Sequence, residues 1–352
     1  MKRISKNIVF ILLLVLTTKG QSHNSNFEFS GMNKFWEIVE IIKSNEVPTE
    51  KLWNDLFSTP GYKVLTQSEF KKEFFIKNFT LAFNPNKKAE YERTIKNRSD
   101  AYYLEHYRKA DENKSFLVSQ VNKLKISNKN SIAANKALNF LPMNNVNDFP
   151  PVSFVIFAND GRGYSPIVID LFASTDWDFI PFLAHEYHHW YRNRLVKINY
   201  SRVNSEDKVF IETISQLEAE GVADQVDKAE WFLNKRNLGE REKNYIKSVE
   251  DSPGILKKII ELLEQISDNV SLKRKNFDII KEIVPQGGHP TGFYMARMIL
   301  KQLGRGELVR TVGNPFVFIH TFNNAAKMEG INEIIFSSRA MRVVSELENN
   351  YL

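Results

Sequence analysis

The chain of 352 residues contains no cysteine. It can therefore be neither a lipoprotein nor a disulfide-stapled scaffold, and its fold must depend on a buried core. Long apolar runs are also missing: the most hydrophobic stretch, residues 8–16, is too short to span a bilayer as a helix. The sequence has no internal repeat and no long low-complexity segment, so a repeat architecture is not expected.

The first twenty residues have the composition of a secretory signal. Lys2, Arg3 and Lys6 precede the apolar run, and small residues follow it before position 21. We predict a signal peptide at 1–20 and a secreted or periplasmic protein with no integral membrane span after cleavage. A short membrane anchor is the alternative interpretation.

Little excess charge is left once this segment is removed. Residues 1–20 contain four basic and no acidic residues, so Lys plus Arg fall from 48 to 44 against 42 acidic residues, and the net charge falls from +6 to +2. The basic character comes largely from the signal. It gives no reason to expect a nucleic-acid partner.

A pentapeptide motif is the most informative feature that is present. Residues 185–189 read His-Glu-Tyr-His-His and match the pattern His-Glu-x-x-His. On a helix, His185 and His189 share a face, so both imidazoles can bind one metal ion. Glu186 lies beside the first ligand, where its carboxylate can act as a general base toward water. The sequence therefore predicts a zinc hydrolase.

The third ligand separates the classes of zinc hydrolase. A metzincin would need Gly and His where this chain has Arg192 and Leu195. A helical pattern over residues 207–233 instead carries Glu220 and Asp224 on one face at i,i+4 spacing. Glu220 can complete a His2Glu site, and Asp224 can accept the second ring N–H of a histidine ligand.

Other polar residues near these motifs leave alternatives open. His188 could pair with His185 at i,i+3 spacing, or it could be an ordinary polar neighbour. The remaining acids of the second helix, Glu212, Glu218 and Asp227, are predicted to be solvated, as acids on an amphipathic helix usually are.

The two motifs together resemble the gluzincin branch of zinc metallopeptidases, in which Glu-x-x-x-Asp supplies a ligand and its supporting carboxylate. More closely, the chain resembles a family of secreted bacterial proteins described as zinc-dependent peptidases of unknown function. Three further segments carry that likeness, at 52–62, 154–170 and 288–296. The resemblance implies a peptidase-like site that binds Zn²⁺, and it implies no particular substrate.

The expected fold is mainly α, of the α+β class. We predict a helical N-terminal lobe at 21–145 and a zincin-like catalytic lobe at 146–352, with a small β-hairpin or sheet beside the motif helix. The β-rich runs at 152–158 and 167–172 are separated by a hairpin-type turn at 159–163. The resemblance to gluzincins implies that one of these two strands could be an edge that binds a substrate peptide by strand addition, and an ordinary hairpin that packs on the motif helix is the alternative.

A Gly-rich turn leads into a helix that presents two neutral hydrogen-bond donors, His289 and Tyr294. Thr291 is the predicted cap of that helix. Either donor could stabilise a developing oxyanion, with Tyr164 and Tyr187 as the next candidates.

The predicted function is a zinc-dependent metallopeptidase that hydrolyses amide bonds of a peptide or protein substrate, with Glu186 as general base. One alternative is a hydrolase of a non-peptide or peptidoglycan amide. Another is a secreted binding protein whose zinc site is structural, which would require four protein ligands. Oligomeric state is not readable from the sequence.

Overall fold

The computed structural model describes residues 27–97, 101–125, 127–142, 150–176, 178–233 and 238–352. It confirms the predicted fold class, since helices dominate and one small sheet is present. The predicted signal peptide lies outside the described residues, as does the predicted lobe boundary after residue 145. Among the helices that are described, none is both long and apolar enough to cross a membrane.

The chain before the sheet is almost entirely helical. Its helices are α1 (Ser30–Lys43), α2 (Glu50–Ser58), α3 (Pro60–Ser68), α4 (Lys72–Phe83), α5 (Lys88–Asn97), α6 (Ala101–Glu112), α7 (Lys114–Lys125) and α8 (Lys129–Ala137). Aromatic residues at helical spacing supply the core here, as their periodicity predicts. Phe35 and Phe79 are fully buried, and their rings meet edge to face with centroids 5.0 Å apart.

The chain after the sheet is helical as well. Its helices are α9 (Ala173–Asp176), α10 (Phe179–Asn193), α11 (Ser205–Asp227), α12 (Ala229–Leu233), α13 (Glu240–Glu250), α14 (Ser252–Asp268), α15 (Lys273–Ile283), α16 (His289–Leu303), α17 (Arg305–Arg310), α18 (Pro315–Glu329) and α19 (Ser338–Tyr351). The helix predicted at 207–233 is interrupted by a turn at Lys228. Helix α16 begins before the predicted cap, because Gly288 takes the capping position with φ 96° and Thr291 lies inside the helix.

Four short strands form the sheet in the order β1-β2-β4-β3. They are β1 (Phe27–Glu28), β2 (Val152–Val155), β3 (Gly161–Arg162) and β4 (Ile167–Asp170). Strand β4 runs parallel to β2 and antiparallel to β3. The predicted hairpin between the two β-rich runs is therefore wrong. The residues predicted as its turn instead contain strand β3, and it is β3 that pairs antiparallel with β4. For the same reason β2 and β4 are interior strands, and β1 and β3 are the edges of the described sheet.

The sheet lies between N-terminal helices and the motif helix α10. Glycines allow α1 and α3 to approach β2, since a Cβ on Gly31 would lie 2.7 Å from Val155 Cγ1 and one on Gly61 would lie 2.6 Å from it. The neighbouring side chain on β2, Phe154, points to the opposite face. Its ring centroid lies 6.1 Å from that of Phe179 in α10, so the sheet fixes the start of the motif helix.

Helices α10, α11 and α16 carry the predicted site residues. A buried ion pair joins the first two: Arg192 Nε donates to Glu218 Oε2 at 2.9 Å. Glu218 is fully buried, so its predicted solvation is wrong. Helices α11 and α16 touch backbone to backbone, because a Cβ on Gly292 would overlap the carbonyl oxygen of Leu217 and one on Gly221 would overlap Gly292.

Candidate metal centre

His185, His189 and Glu220 lie together where α10 and α11 face each other. The Nε2 atoms of the two histidines are 2.9 Å apart. Glu220 Oε2 is 3.4 Å from Nε2 of His185 and 3.1 Å from Nε2 of His189. His188 points elsewhere: it is fully buried, and its Nε2 lies 3.2 Å from the carbonyl oxygen of Phe140. The predicted choice of His189 over His188 therefore agrees with the geometry.

These atoms fit a zinc ion. Ligand atoms held 2.0–2.1 Å from a tetrahedral metal lie roughly 3.3 Å apart, close to the separations found here. Glu220 Oε2 is buried, and no well-formed hydrogen bond reaches it from the described residues, although imidazole nitrogens surround it. Such an unsatisfied acceptor is costly unless a cation binds it. The neighbouring histidines hold the pKa of Glu220 well below its ordinary value against the effect of burial, so its carboxylate is ionised and can bind a cation.

Glu186 lies on the same helix under the edge strand β3. A Cβ on Gly161 would lie 2.8 Å from its Cδ atom, and one on Gly163 would lie 2.9 Å from its carbonyl oxygen. Strand β3 and the residue after it therefore rest directly on the motif helix through Gly161 and Gly163. Burial raises the pKa of Glu186, although His185 and His189 act against that rise. A raised pKa suits a residue that must accept and later release a proton.

Two aspartates of α11 reach the second ring nitrogen of His185. Its Nδ1 is 3.2 Å from Asp227 Oδ1 and 3.4 Å from Asp224 Oδ1. The predicted solvation of Asp227 is wrong, because its side chain is only 13% exposed and contacts Lys228 Nζ at 2.9 Å. Burial alone would raise the pKa of Asp224, but Lys228 and His289 lower it far below its ordinary range. The carboxylate of Asp224 is thus available as an acceptor.

His289, the first residue of α16, joins the cluster from a third helix. Its Nε2 is 3.3 Å from Glu220 Oε2, and its Nδ1 is 3.1 Å from both carboxylate oxygens of Asp224. Burial lowers the pKa of His289, but Asp224 and Glu220 outweigh that effect and raise it. Tyr245 supports this arrangement, since its hydroxyl donates to Asp224 Oδ2 at 2.5 Å. Lys228 and Tyr245 were not predicted from the sequence.

Tyr294 is not brought to the cluster. It lines a separate cavity of about 360 Å³. Because it follows His289 by five residues, it lies about 140° around the helix from it. The structure therefore does not bring Tyr294 to the residues with which it was predicted to act. Of the other candidate tyrosines, Tyr164 lines the cleft beside Glu186, whereas Tyr187 is buried in the core.

An open cleft of about 1090 Å³ borders the cluster. Strand β3 and the residues around it form one wall, and helices α11, α12 and α13 contribute to the other. Its lining includes Glu69, Arg162, Tyr164, Trp231, Arg241 and Tyr245. Arg162 is fixed by Glu69, whose carboxylate accepts from Nε at 2.7 Å and from Nη2 at 2.9 Å. The cleft is large enough for several residues of a peptide.

Over residues 53–330 the chain matches the profile of the family described as "Putative zinc dependent peptidase (DUF5700)". The match covers well over half of the chain, so the protein belongs to this family and the resemblance in the sequence is confirmed. All the residues of the cluster lie within the matched range. Comparisons with curated proteins and with solved structures gave no match.

Proposed function

We propose that the protein is a secreted or periplasmic zinc-dependent metallopeptidase. The observation that carries this proposal is the position of Glu186, a buried carboxylate on the wall of an open cleft beside His185, His189 and Glu220. A general base, a set of metal ligands and access for a substrate thus occur at one place. The open cleft supports a catalytic site over a purely structural one.

In this proposal His185, His189 and Glu220 hold the ion. A bound zinc ion supplies Lewis acidity, which lowers the pKa of water and polarises the scissile carbonyl. Glu186 takes a proton from the water as its oxygen attacks the carbonyl carbon, and it delivers that proton to the amine nitrogen as the C–N bond breaks. The hydroxyl of Tyr164 replaces that of Tyr294 as the proposed donor to the oxyanion, because Tyr164 lines the cleft; to act, it would turn from Glu69 Oε2, to which it donates at 3.4 Å.

The edge strand β3 is the proposed support for the substrate backbone. It borders the cleft through Gly161 and Arg162, and on its inner side it pairs with β4. A peptide added along the free edge would be held by main-chain hydrogen bonds that are independent of its sequence. Since β3 rests on Glu186, such a peptide would lie next to the base.

Zinc content and three substitutions test this proposal. We expect about one zinc per chain after zinc-replete expression, because two histidines and a glutamate match the ligands zinc prefers. Glu186→Gln should abolish cleavage of an unbiased peptide library and keep the metal, since that side chain acts on water. His189→Ala and Glu220→Ala should lose both cleavage and metal. A metal-free wild-type protein, or a Glu186→Gln variant that loses zinc while Glu220→Ala keeps it, would contradict the assignment.

A further inference from the structure

His289 has the same spatial relation to α11 as the motif histidine His185. Nε2 of His289 is 3.3 Å from Glu220 Oε2, and Nε2 of His185 is 3.4 Å from that atom. Their Nδ1 atoms lie 3.1 Å and 3.4 Å from the carboxylate of Asp224. The two rings are nearly parallel, with 20° between their planes and centroids 5.8 Å apart. Two imidazoles therefore span the same pair of carboxylates.

The hydrogen-bonding chemistry of His289 determines what its Nε2 can do. The ionised carboxylate of Asp224 can only accept, so the Nδ1 that contacts it carries the proton. Nε2 is then the ring atom left to bind a metal ion, and it faces Glu220 Oε2. Their separation of 3.3 Å is that expected between two ligand atoms of one tetrahedral zinc ion, and His289 lies with His185, Glu220 and Asp224 in one group whose ligand atoms are all within 4.8 Å of one another. The role of His289 as a neutral donor to an oxyanion stays a prediction from the sequence.

The fold holds His289 at this distance from Glu220. Gly221, adjacent to Glu220, contacts the backbone of Gly292 in the first turn of α16. Any larger residue at either position would push the two helices apart. In addition, the Tyr245 hydroxyl, which donates to Asp224, lies 3.4 Å from the carbonyl oxygen of His289. The position of the imidazole is thus set by backbone contact and by a hydrogen bond behind it.

We infer that His289 is a fourth protein ligand of the metal, in addition to His185, His189 and Glu220. This inference rests on the proposed zinc site and adds one ligand to it. Four protein ligands would close the coordination sphere in the substrate-free protein, which is the arrangement that the structural alternative requires. Catalysis then requires His289 to leave, or the sphere to expand to five ligands. Asp224, in this arrangement, orients a ligand from α16 as well as one from α10.

Zinc affinity distinguishes a ligand from a nearby residue. If four ligands share the binding free energy of a typical closed site about equally, His289→Ala should bind zinc roughly 10²–10³-fold more weakly in competition with a chromophoric chelator. His320→Ala is the matched control, because that ring is a partly exposed partner of Glu348 far along the chain. Its affinity should equal that of the wild type. Equal affinity in His289→Ala would overturn the inference.

A second measurement needs no variant and covers the case in which His289→Ala does not fold. X-ray absorption of the zinc-loaded wild type should show three imidazole ligands and one carboxylate. A spectrum with only two imidazole ligands would refute the assignment of His289 as a ligand and leave the proposed peptidase site intact. A wild-type protein that binds no zinc would refute both, so the two failures are distinguishable.

Discussion

Replacing Asp224 by asparagine should weaken both zinc binding and the metal-free fold, and the two effects can be measured separately. The carboxylate is fully buried and accepts from Tyr245 at 2.5 Å and from Nδ1 of His289 at 3.1 Å, and it also contacts Lys228. Asparagine keeps one acceptor oxygen but places an NH2 group where the second oxygen was. At least one of these donors would then face another donor.

Two magnitudes follow from these contacts. Removing a carboxylate that orients a histidine ligand weakens metal binding by about 10–100-fold, or roughly 1.4–2.8 kcal/mol. Leaving one buried donor unpaired destabilises the folded protein by about 1–3 kcal/mol even without metal. We therefore expect Asp224→Asn to weaken zinc binding in chelator competition, and to lower the free energy of unfolding measured in EDTA.

The comparison with Asp227→Asn sharpens this test. Asp227 contacts His185 and Lys228 and is partly exposed, so its substitution should weaken zinc binding with a smaller loss of metal-free stability. Asp268→Asn, at an aspartate that is 55% exposed, should change neither quantity. An Asp224→Asn variant with wild-type zinc affinity would show that this carboxylate orients no ligand, whatever its effect on folding.

Two further predictions concern catalysis and packing. Tyr164→Phe should lower kcat by about 10²–10³-fold with zinc content unchanged, whereas Tyr294→Phe should keep near-wild-type kcat; single-turnover kinetics would reveal the reverse pattern if Tyr294 were the donor. Gly292→Ala should destabilise the protein by about 1–3 kcal/mol and weaken zinc binding, because its Cβ would overlap Leu217 O. Gly254→Ala, with nothing within 4 Å of the added Cβ, should lack both effects in denaturant titrations and chelator competition.

Helical periodicity accounts for what the sequence could predict of the site. The i,i+4 spacing puts His185 with His189 on one helix, and Glu220 with Asp224 on another, and the structure brings the two pairs together. The same helical spacing places Asp227 on the face that carries Glu220 and Asp224. It follows Glu220 by seven residues, which returns it to within about 20° of the same face.

Contacts between distant segments explain what the sequence could not predict. Tyr245 reaches Asp224 from α13, which no local pattern indicates. The parallel pairing of β2 with β4 depends on a two-residue strand, Gly161–Arg162, that periodicity cannot identify because it is too short to alternate. Tyr294 has the chemical type of an oxyanion donor and follows the Gly-rich turn, but its angle around α16 places it at a separate cavity.

Arg192, three residues after the second motif histidine, explains why the third predicted ligand comes from α11. A metzincin has glycine at position 192, where the chain turns and brings a third histidine back at 195. Here α10 continues through Asn193, and Arg192 is buried in its ion pair with Glu218. Since Glu218 lies two residues before Glu220, the pair fixes α10 against α11 next to the metal cluster. Arg192, which is incompatible with a metzincin site, therefore also positions α11, the helix that carries the proposed ligand Glu220.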